Sequence, residues 1–286
     1  MDLLSEADII AAIRSGTPVS ALVDSGAFHI VVPRYIPAVA TAIHDGHEVP
    51  GPVEAAMLVS VEERCFEEDP YTGRIADTVA ISLVMHHSRY YYDVNRRPAA
   101  CIYDEAWGKK VWRSFPDEQA RAAIVDLHAS YFRVLDALLS ALEQRFPAVV
   151  LYDLHSYNYG RLRGEPPLFN IGTHFIDSQQ WHSLPDRLAE GLRSIAVPGI
   201  ANRTVFDEVF VGKGYQAEHI RSHHDRCLCL PLEIKKVFLD EVSGRLCVER
   251  FQALQNGLTE VLASHAAACA QQWSAGDFSK NDFVRT

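Results

Sequence analysis

The stretch Tyr152-Asp153-Leu154-His155-Ser156 decides how this chain reads. It follows Phe146-Pro147-Ala148-Val149-Val150-Leu151, a short apolar, β-branched run that reads as a buried strand. Upstream, residues 117–146 carry Ile124, Leu127, Tyr131, Val134, Leu135, Leu138 and Leu142 at three-to-four spacing, which predicts a long helix. A helix that feeds straight into a strand is the crossover a parallel sheet needs. An acid and a histidine then stand where the strand should end. In open α/β sheets chemistry collects at the carboxyl ends of strands. An imidazole there calls for a metal, a proton to move or a carboxylate partner.

Outward from this centre the pattern stays α/β. Residues 4–15 read as an amphipathic helix with Ser5 as its N-cap. Residues 26–32 and 78–85 read as strands, and 33–51 as loop or broken helix. Residues 59–65 carry helix-forming charge, and Pro70 halts helix in the acidic segment that follows. Further strands are expected at 168–172, 207–211 and 227–234, the last weakened by Pro231. Helices are expected at 184–195 and 249–269. With no repeat and no clear linker, residues 1–286 read as a single domain: a mixed, largely parallel sheet flanked by helices on both faces.

Composition narrows the function classes. The 286 residues are 48% hydrophobic, with a formal net charge of -10. An acidic chain without a basic run is a poor nucleic-acid binder. No apolar run approaches the ~20 residues of a membrane span. The N-terminus, Met1-Asp2-Leu3-Leu4-Ser5-Glu6, lacks the basic segment of a signal peptide, so a cytoplasmic protein is expected. Self-association stays open. The six cysteines form no CxxC pair, and Cys227 and Cys229 alternate as core thiols on a strand. Thirteen histidines are many, and several cluster, as in His44/His47, His86/His87 and His223/His224.

Three constellations could carry chemistry. His44, Asp69 and His155 could form a ligand set of the kind hydrolytic zinc sites use, with three protein ligands and one open position, or the two histidines could be ordinary loop residues, since the three lie far apart in sequence. His47, Glu48, Glu67 and Glu68 are rival ligands, and the Asp45-Gly46 step would allow a tight turn that aims His44. Arg89, Asn95 and Arg96 could fork onto a carboxylate, although Asp93 could instead pair with one of these arginines. Glu233, in Leu230-Pro231-Leu232-Glu233-Ile234, is a carboxylate in an apolar strand; it is either a general base or a rim acid paired with Lys235 or Lys236. Gly212-Lys213-Gly214-Tyr215 reads as a turn, without a dinucleotide fingerprint, and His223-His224 as a solvent-facing pair. No GxSxG serine elbow is present.

Taken in order, these segments resemble the N-formylglutamate amidohydrolase family. Ser88-Arg89-Tyr90-Tyr91-Tyr92-Asp93-Val94-Asn95-Arg96-Arg97-Pro98 is close to that family's Ser-Arg-x-x-x-Asp-x-Asn-Arg-Pro-Pro run and is the most specific match. Asp153-Leu154-His155-Ser156 matches its Asp-x-His-Ser segment, Asn170-Ile171-Gly172-Thr173 its Asn-x-Gly-Thr, and Asp69 stands in its Thr-Asp-Trp segment. Ile43-His44-Asp45-Gly46 lacks the family's Pro and Ser, and Gly212-Lys213-Gly214-Tyr215 displaces one glycine of its Lys-Gly-Gly-Tyr turn. The resemblance spans roughly residues 26–240. It implies a zinc-carboxypeptidase-like fold, zinc held by His44, Asp69 and His155, and Glu233 as general base. It also implies that Asn95 and Arg96, helped by Arg89, bind the carboxylate of a small acidic N-acyl amino acid such as N-formylglutamate. A carboxypeptidase or deacylase acting on another amide, and a catalytically silent ligand- or partner-binding homologue, stay open as alternatives.

Overall fold

In the computed structural model, which describes residues 1–285, the strand that opened the sequence reading lies at the middle of a nine-stranded mixed sheet. Five strands come from the first third of the chain: β1 (Asp2–Leu4), β2 (Val19–Val23), β3 (Phe28–Val32), β4 (Ala38–Ala42) and β5 (Ser82–Met85). A small hairpin, β6 (Glu105–Ala106) and β7 (Lys109–Lys110), stands apart. The remaining sheet strands are β8 (Val149–Tyr157), β9 (Phe169–Ile171), β10 (Thr204–Phe206) and β11 (Cys227–Lys235). Their order is β1-β2-β3-β5-β4-β8-β11-β9-β10, and the central set β5, β4, β8 and β11 is parallel.

The helix Glu118–Glu143 starts where Asp117 caps the N–H of Ala120, and its apolar stripe matches the expected spacing. It feeds β8, all nine residues of which are buried. Burying each such Leu or Val side chain contributes roughly 1.5–3 kcal/mol. Helices cover both faces. Tyr152 reaches one face, where its hydroxyl donates to Leu262 O on helix Val248–Gln272 at 3.2 Å. Asp153 points to the other, where Thr41 donates to it at 3.3 Å and Gln216 Nε2 donates to Thr41 Oγ1 at 2.9 Å. No helix among the described residues is long and apolar enough to cross a membrane.

Several expectations need correction. β8 does not end at His155 but continues to Tyr157. Residues 33–51, expected to be loop or broken helix, contain β4, a fully buried strand whose alanines carry little β signal alone and which two parallel neighbours hold in place. The strand expected at 207–211 lies earlier, at Thr204–Phe206, and Asp207 breaks it with φ of 54°. A helix at Tyr215–His223 follows the glycine turn, so the solvent-facing reading of the histidine pair fails for His224. His224 is buried and meets Glu143 Oε2 and Asp136 Oδ1, each at 3.0 Å. Pro231 does not weaken β11: Gly172 N–H donates to its carbonyl, and β11 pairs β8 along its whole length.

Candidate active site

The sheet register sets the site. In the parallel pairing of β8 with β11, Asp153 lies opposite Pro231 and His155 opposite Glu233. Residues two apart on a strand share a face. All four therefore project to the same side, and all four line a cavity of about 430 Å³. His44 enters from the adjacent strand, two residues beyond the end of β4. Its backbone carbonyl accepts the N–H of Asp69 at 2.8 Å, which ties the acidic loop to the same point. Gly46 is required there by close approach rather than by a special turn, since a Cβ would lie 2.2 Å from the His86 carbonyl.

Three donors converge. His44 Nδ1 and His155 Nδ1 face Asp69 Oδ2 at 3.4 and 3.2 Å, all three residues are buried, and one ligand atom from each lies within 4.8 Å of the others. Each imidazole is held from behind. His44 Nε2 donates to Asp93 Oδ1 at 2.8 Å, and His155 Nε2 lies 3.1 Å from Asp153 Oδ1. A carboxylate that accepts a hydrogen bond from Nε2–H lets Nδ1, once its own proton is lost, turn a lone pair inward, the usual outer arrangement of a metal-binding histidine. Ser156 donates to Asp69 Oδ1 at 3.3 Å. These donors fit a divalent metal: two nitrogens, a carboxylate oxygen, and an excess of acid around them.

The electrostatics follow from burial and pairing. Burial opposes charge on Asp69, but hydrogen bonds from His155 and His44 hold its carboxyl well below the usual range. Burial likewise opposes charge on Asp93, which the Arg89 guanidinium and His44 overcome. Burial disfavours the imidazolium of His155, yet Asp153 and Asp69 raise it well above its ordinary value. Glu233 differs from these acids. It takes no hydrogen bond from any described protein donor, and burial pushes its carboxyl up to about 8.

The expected rivals fall outside the donor set. His47 and Glu48 are exposed, and His47 lines a separate cavity. Glu68 is buried and accepts from Ser88. Glu67 reaches the rim of the main cavity, where Arg161 engages both its oxygens at 2.9 and 2.7 Å. Neither lysine pairs with Glu233: Lys235 Nζ reaches Pro166 O at 3.3 Å, and buried Lys236 donates to the carbonyls of Phe66 and Glu68 at 3.0 and 2.6 Å. Of the carboxylate-binding candidates, Arg89, Asn95 and Arg96 all line the cavity. Arg89 is occupied by Asp93, with bonds of 3.2 and 2.8 Å. Arg96 is exposed and makes only a 3.3 Å bond to the carbonyl of Asn95.

The sequence matches the N-formylglutamate amidohydrolase family over residues 36–239. The chain belongs to that family. The match covers the donor set, the arginine run and Glu233. No curated protein matches the chain in sequence. Among solved structures, the chain is similar to an N-formylglutamate amidohydrolase from Ralstonia eutropha JMP134, with a TM-score of 0.70 and 20% identity, covering 86% of this chain and 99% of that one. It is also similar to a gene product of Agrobacterium tumefaciens, with a TM-score of 0.67 and 16% identity over 85% of this chain and 94% of that one. At such identities the likeness is one of fold.

Sequence reasoning about this amidohydrolase missed several residues that shape the site. Asp153 stands two positions before His155 on one strand, so period-2 alternation already placed it beside the imidazole. Asp93 was read as an arginine partner, which it is, but its bond to His44 comes from tertiary packing. Arg161 lines the cavity with no signal in the sequence beyond its charge, while Lys213 was read only as part of a turn and Lys236 only as a partner for Glu233.

Proposed function

We propose that this chain is a zinc-dependent amidohydrolase that cleaves the amide bond of a small acidic N-acyl amino acid, with N-formyl-L-glutamate as the first candidate. One observation carries the reading: two Nδ1 atoms and a carboxylate oxygen converge beside Glu233, an acid that stands in register with His155 and has no partner of its own. His44, Asp69 and His155 would hold the metal, and Asp93 and Asp153 fix the tautomers of the two histidines. When bound, such an ion supplies Lewis-acid polarisation of the amide carbonyl and makes water acidic near neutral pH.

The protein's own groups do the rest. Glu233 accepts the proton of the attacking water at its carboxylate oxygen. It then returns that proton to the amide nitrogen as the C–N bond breaks, leaving a carboxylic acid and a free amine. A carboxyl raised towards neutral pH is suited to both transfers. Arg96 offers its free guanidinium to the substrate's α-carboxylate, and Asn95, whose Oδ1 is taken by Gln216 N–H at 3.3 Å, offers its NH2 beside it. Arg89 serves the site through Asp93, the acid that orients His44. An overall acidic protein needs these local cations to draw in an anionic substrate.

The test is metal content by elemental analysis of untagged protein, followed by a formate-release assay with N-formylglutamate. About one zinc per chain together with formate release is expected. Zinc without release would reject the formyl substrate while keeping a hydrolase. Failure to bind zinc even after it is added back would reject the metal centre.

A further inference from the structure

Thr41 is out of place by composition. It stands in Ala38-Val39-Ala40-Thr41-Ala42, a strand buried along its whole length, where a hydroxyl without a partner would be costly. In the β4–β8 register it lies directly opposite Asp153, the acid behind His155. Its hydroxyl donates to Asp153 Oδ1 at 3.3 Å, the same oxygen that His155 Nε2 faces at 3.1 Å. Behind Thr41 stands Gln216, from the first turn of helix Tyr215–His223, whose Nε2 donates to Thr41 Oγ1 at 2.9 Å. The backbone N–H of Gln216 is tied to Asn95 Oδ1 at 3.3 Å, which fixes where that side chain starts. Behind Gln216 stands Tyr131, from the long helix Glu118–Glu143, whose hydroxyl donates to Gln216 Oε1 at 2.5 Å. All of these side chains are buried, and Thr41, Gln216 and Tyr131 do not line the cavity. One chain of bonds thus runs through the core from Tyr131 to Gln216, Thr41, Asp153 and His155.

The chain has a direction. A hydroxyl both donates and accepts, and an amide can be turned end for end, so each link alone is reversible. Tyr131 removes the choice. Among the described residues its hydroxyl meets Gln216 and no other partner. A turned amide would leave the phenol proton buried without an acceptor. The amide oxygen therefore faces Tyr131 and the NH2 faces Thr41. Thr41 Oγ1 has a lone pair taken by that NH2 and points its proton at Asp153. With the amide turned, the Thr41 proton would go to the amide oxygen, and Asp153 would meet a lone pair instead.

We infer that Gln216 is a positioning residue for the metal centre. With Tyr131 and Thr41 it sets the polarity of the bonds that reach Asp153, so that Asp153 stays an acceptor for His155 Nε2–H and Nδ1 is left for the metal. The inference rests on the proposed metal-centre reading and extends it to residues that touch neither a donor atom nor the cavity. A buried polar chain of this kind holds one arrangement only while every member is satisfied.

The experiment measures zinc affinity by chelator competition, and thermal stability of the metal-free proteins, for wild type, Thr41→Val, Thr41→Ser, Gln216→Met, Tyr131→Phe and the double variant Thr41→Val/Tyr131→Phe. Thr41→Val keeps the shape and loses the hydroxyl. It should weaken zinc binding by about tenfold, the lower end of what direct outer partners of metal-bound histidines are worth. Gln216→Met should match it, and Thr41→Ser should keep most of the wild-type affinity. Tyr131→Phe frees the amide to turn. It should weaken zinc binding on its own but add nothing to Thr41→Val, because the chain is already cut. A merely structural role would lower the stability of the metal-free variants and leave zinc affinity unchanged. That result overturns the inference, as do losses of affinity that add in the double variant. If Thr41→Val does not fold, Tyr131→Phe decides: weaker zinc binding sustains the inference and unchanged binding overturns it. If wild type binds no zinc, the metal-centre reading fails. The relay is then read by NMR of histidine-labelled protein, from the His155 Nε2-bound proton, assigned by its absence in His155→Gln. Loss of that resonance in Tyr131→Phe sustains the relay, and its retention overturns it.

Discussion

The two carboxylates behind the histidines should behave differently when neutralised, and the contrast tests the reading of the metal centre. Asp153→Asn keeps an oxygen acceptor in place for both His155 Nε2, 3.1 Å away, and Thr41 Oγ1, 3.3 Å away, while removing the charge. Outer partners of metal-bound histidines are worth about 10–100-fold in affinity, or about 1.4–2.8 kcal/mol. Zinc affinity should fall by that much, with a smaller loss of thermal stability than Asp93→Asn causes, because Asp153 makes an ion pair with His155 alone and keeps its acceptor oxygen. Asp93→Asn removes the same support from His44 but also leaves Arg89 without its ion pair. Asp93 accepts two bonds from Arg89, one from the backbone N–H of Asn95 at 2.7 Å and one from the Tyr103 hydroxyl. Breaking a buried pair by removing one partner's charge costs roughly 3–5 kcal/mol. At a few degrees per kcal/mol, that lowers Tm by on the order of 10 °C. Zinc affinity is read by chelator competition and stability by calorimetry of the metal-free proteins, so that the two effects separate. An Asp153→Asn protein that binds zinc as tightly as wild type would refute the outer-carboxylate role. Equal loss of stability in both variants would refute the assignment of Asp93 as the acid with the heavier structural duty.

Other expectations follow from the same geometry. Glu233→Gln should retain zinc but lose turnover by about 10²–10⁴-fold, and near-normal kcat would remove Glu233 from proton transfer. Arg96→Ala should raise KM more than it lowers kcat, and an unchanged specificity constant would argue against a carboxylate contact. His224 lies outside the donor set, between Asp136 and Glu143. Burial lowers its pKa, but bonds to Asp136 and Glu143 outweigh that and raise it to about 9 from 6.5. Its contribution to stability, on the order of 3 kcal/mol, is therefore full below about pH 6.5 and is lost as pH rises through about 9. Urea-unfolding midpoints should fall across that window in wild type and stay flatter in His224→Gln, and parallel profiles in the two proteins would contradict the assignment.

What could be read from the sequence depended on whether a signal was local. The long helix before β8 was legible because its stripe repeats over many turns, and β8 because its apolar run is unbroken. His44, Asp69 and His155 are too far apart in sequence for spacing to link them; the family resemblance named them together, and the fold brings their donor atoms within 4.8 Å of one another. β4 was not legible: Ala38-Val39-Ala40-Thr41-Ala42 becomes a strand only because β5 and β8 pair with it on either side. The strand expected at 207–211 was misplaced because Asp207, at positive φ, accepts the Thr173 N–H across the loop and ends β10 before that stretch begins. The deepest limit concerns charge. Arg89, Arg96, Arg161 and Lys213 look alike in a sequence, yet two of them are neutralised by acids 4 and 94 positions away and two are not. Pairing across the fold, rather than residue type, decides which cations remain to meet a substrate. That is why Arg89, the arginine nearest the start of the recognisable motif, is tied to the acid behind His44, while Lys213, read first as part of a turn, lines the cavity without an acid partner among the described residues.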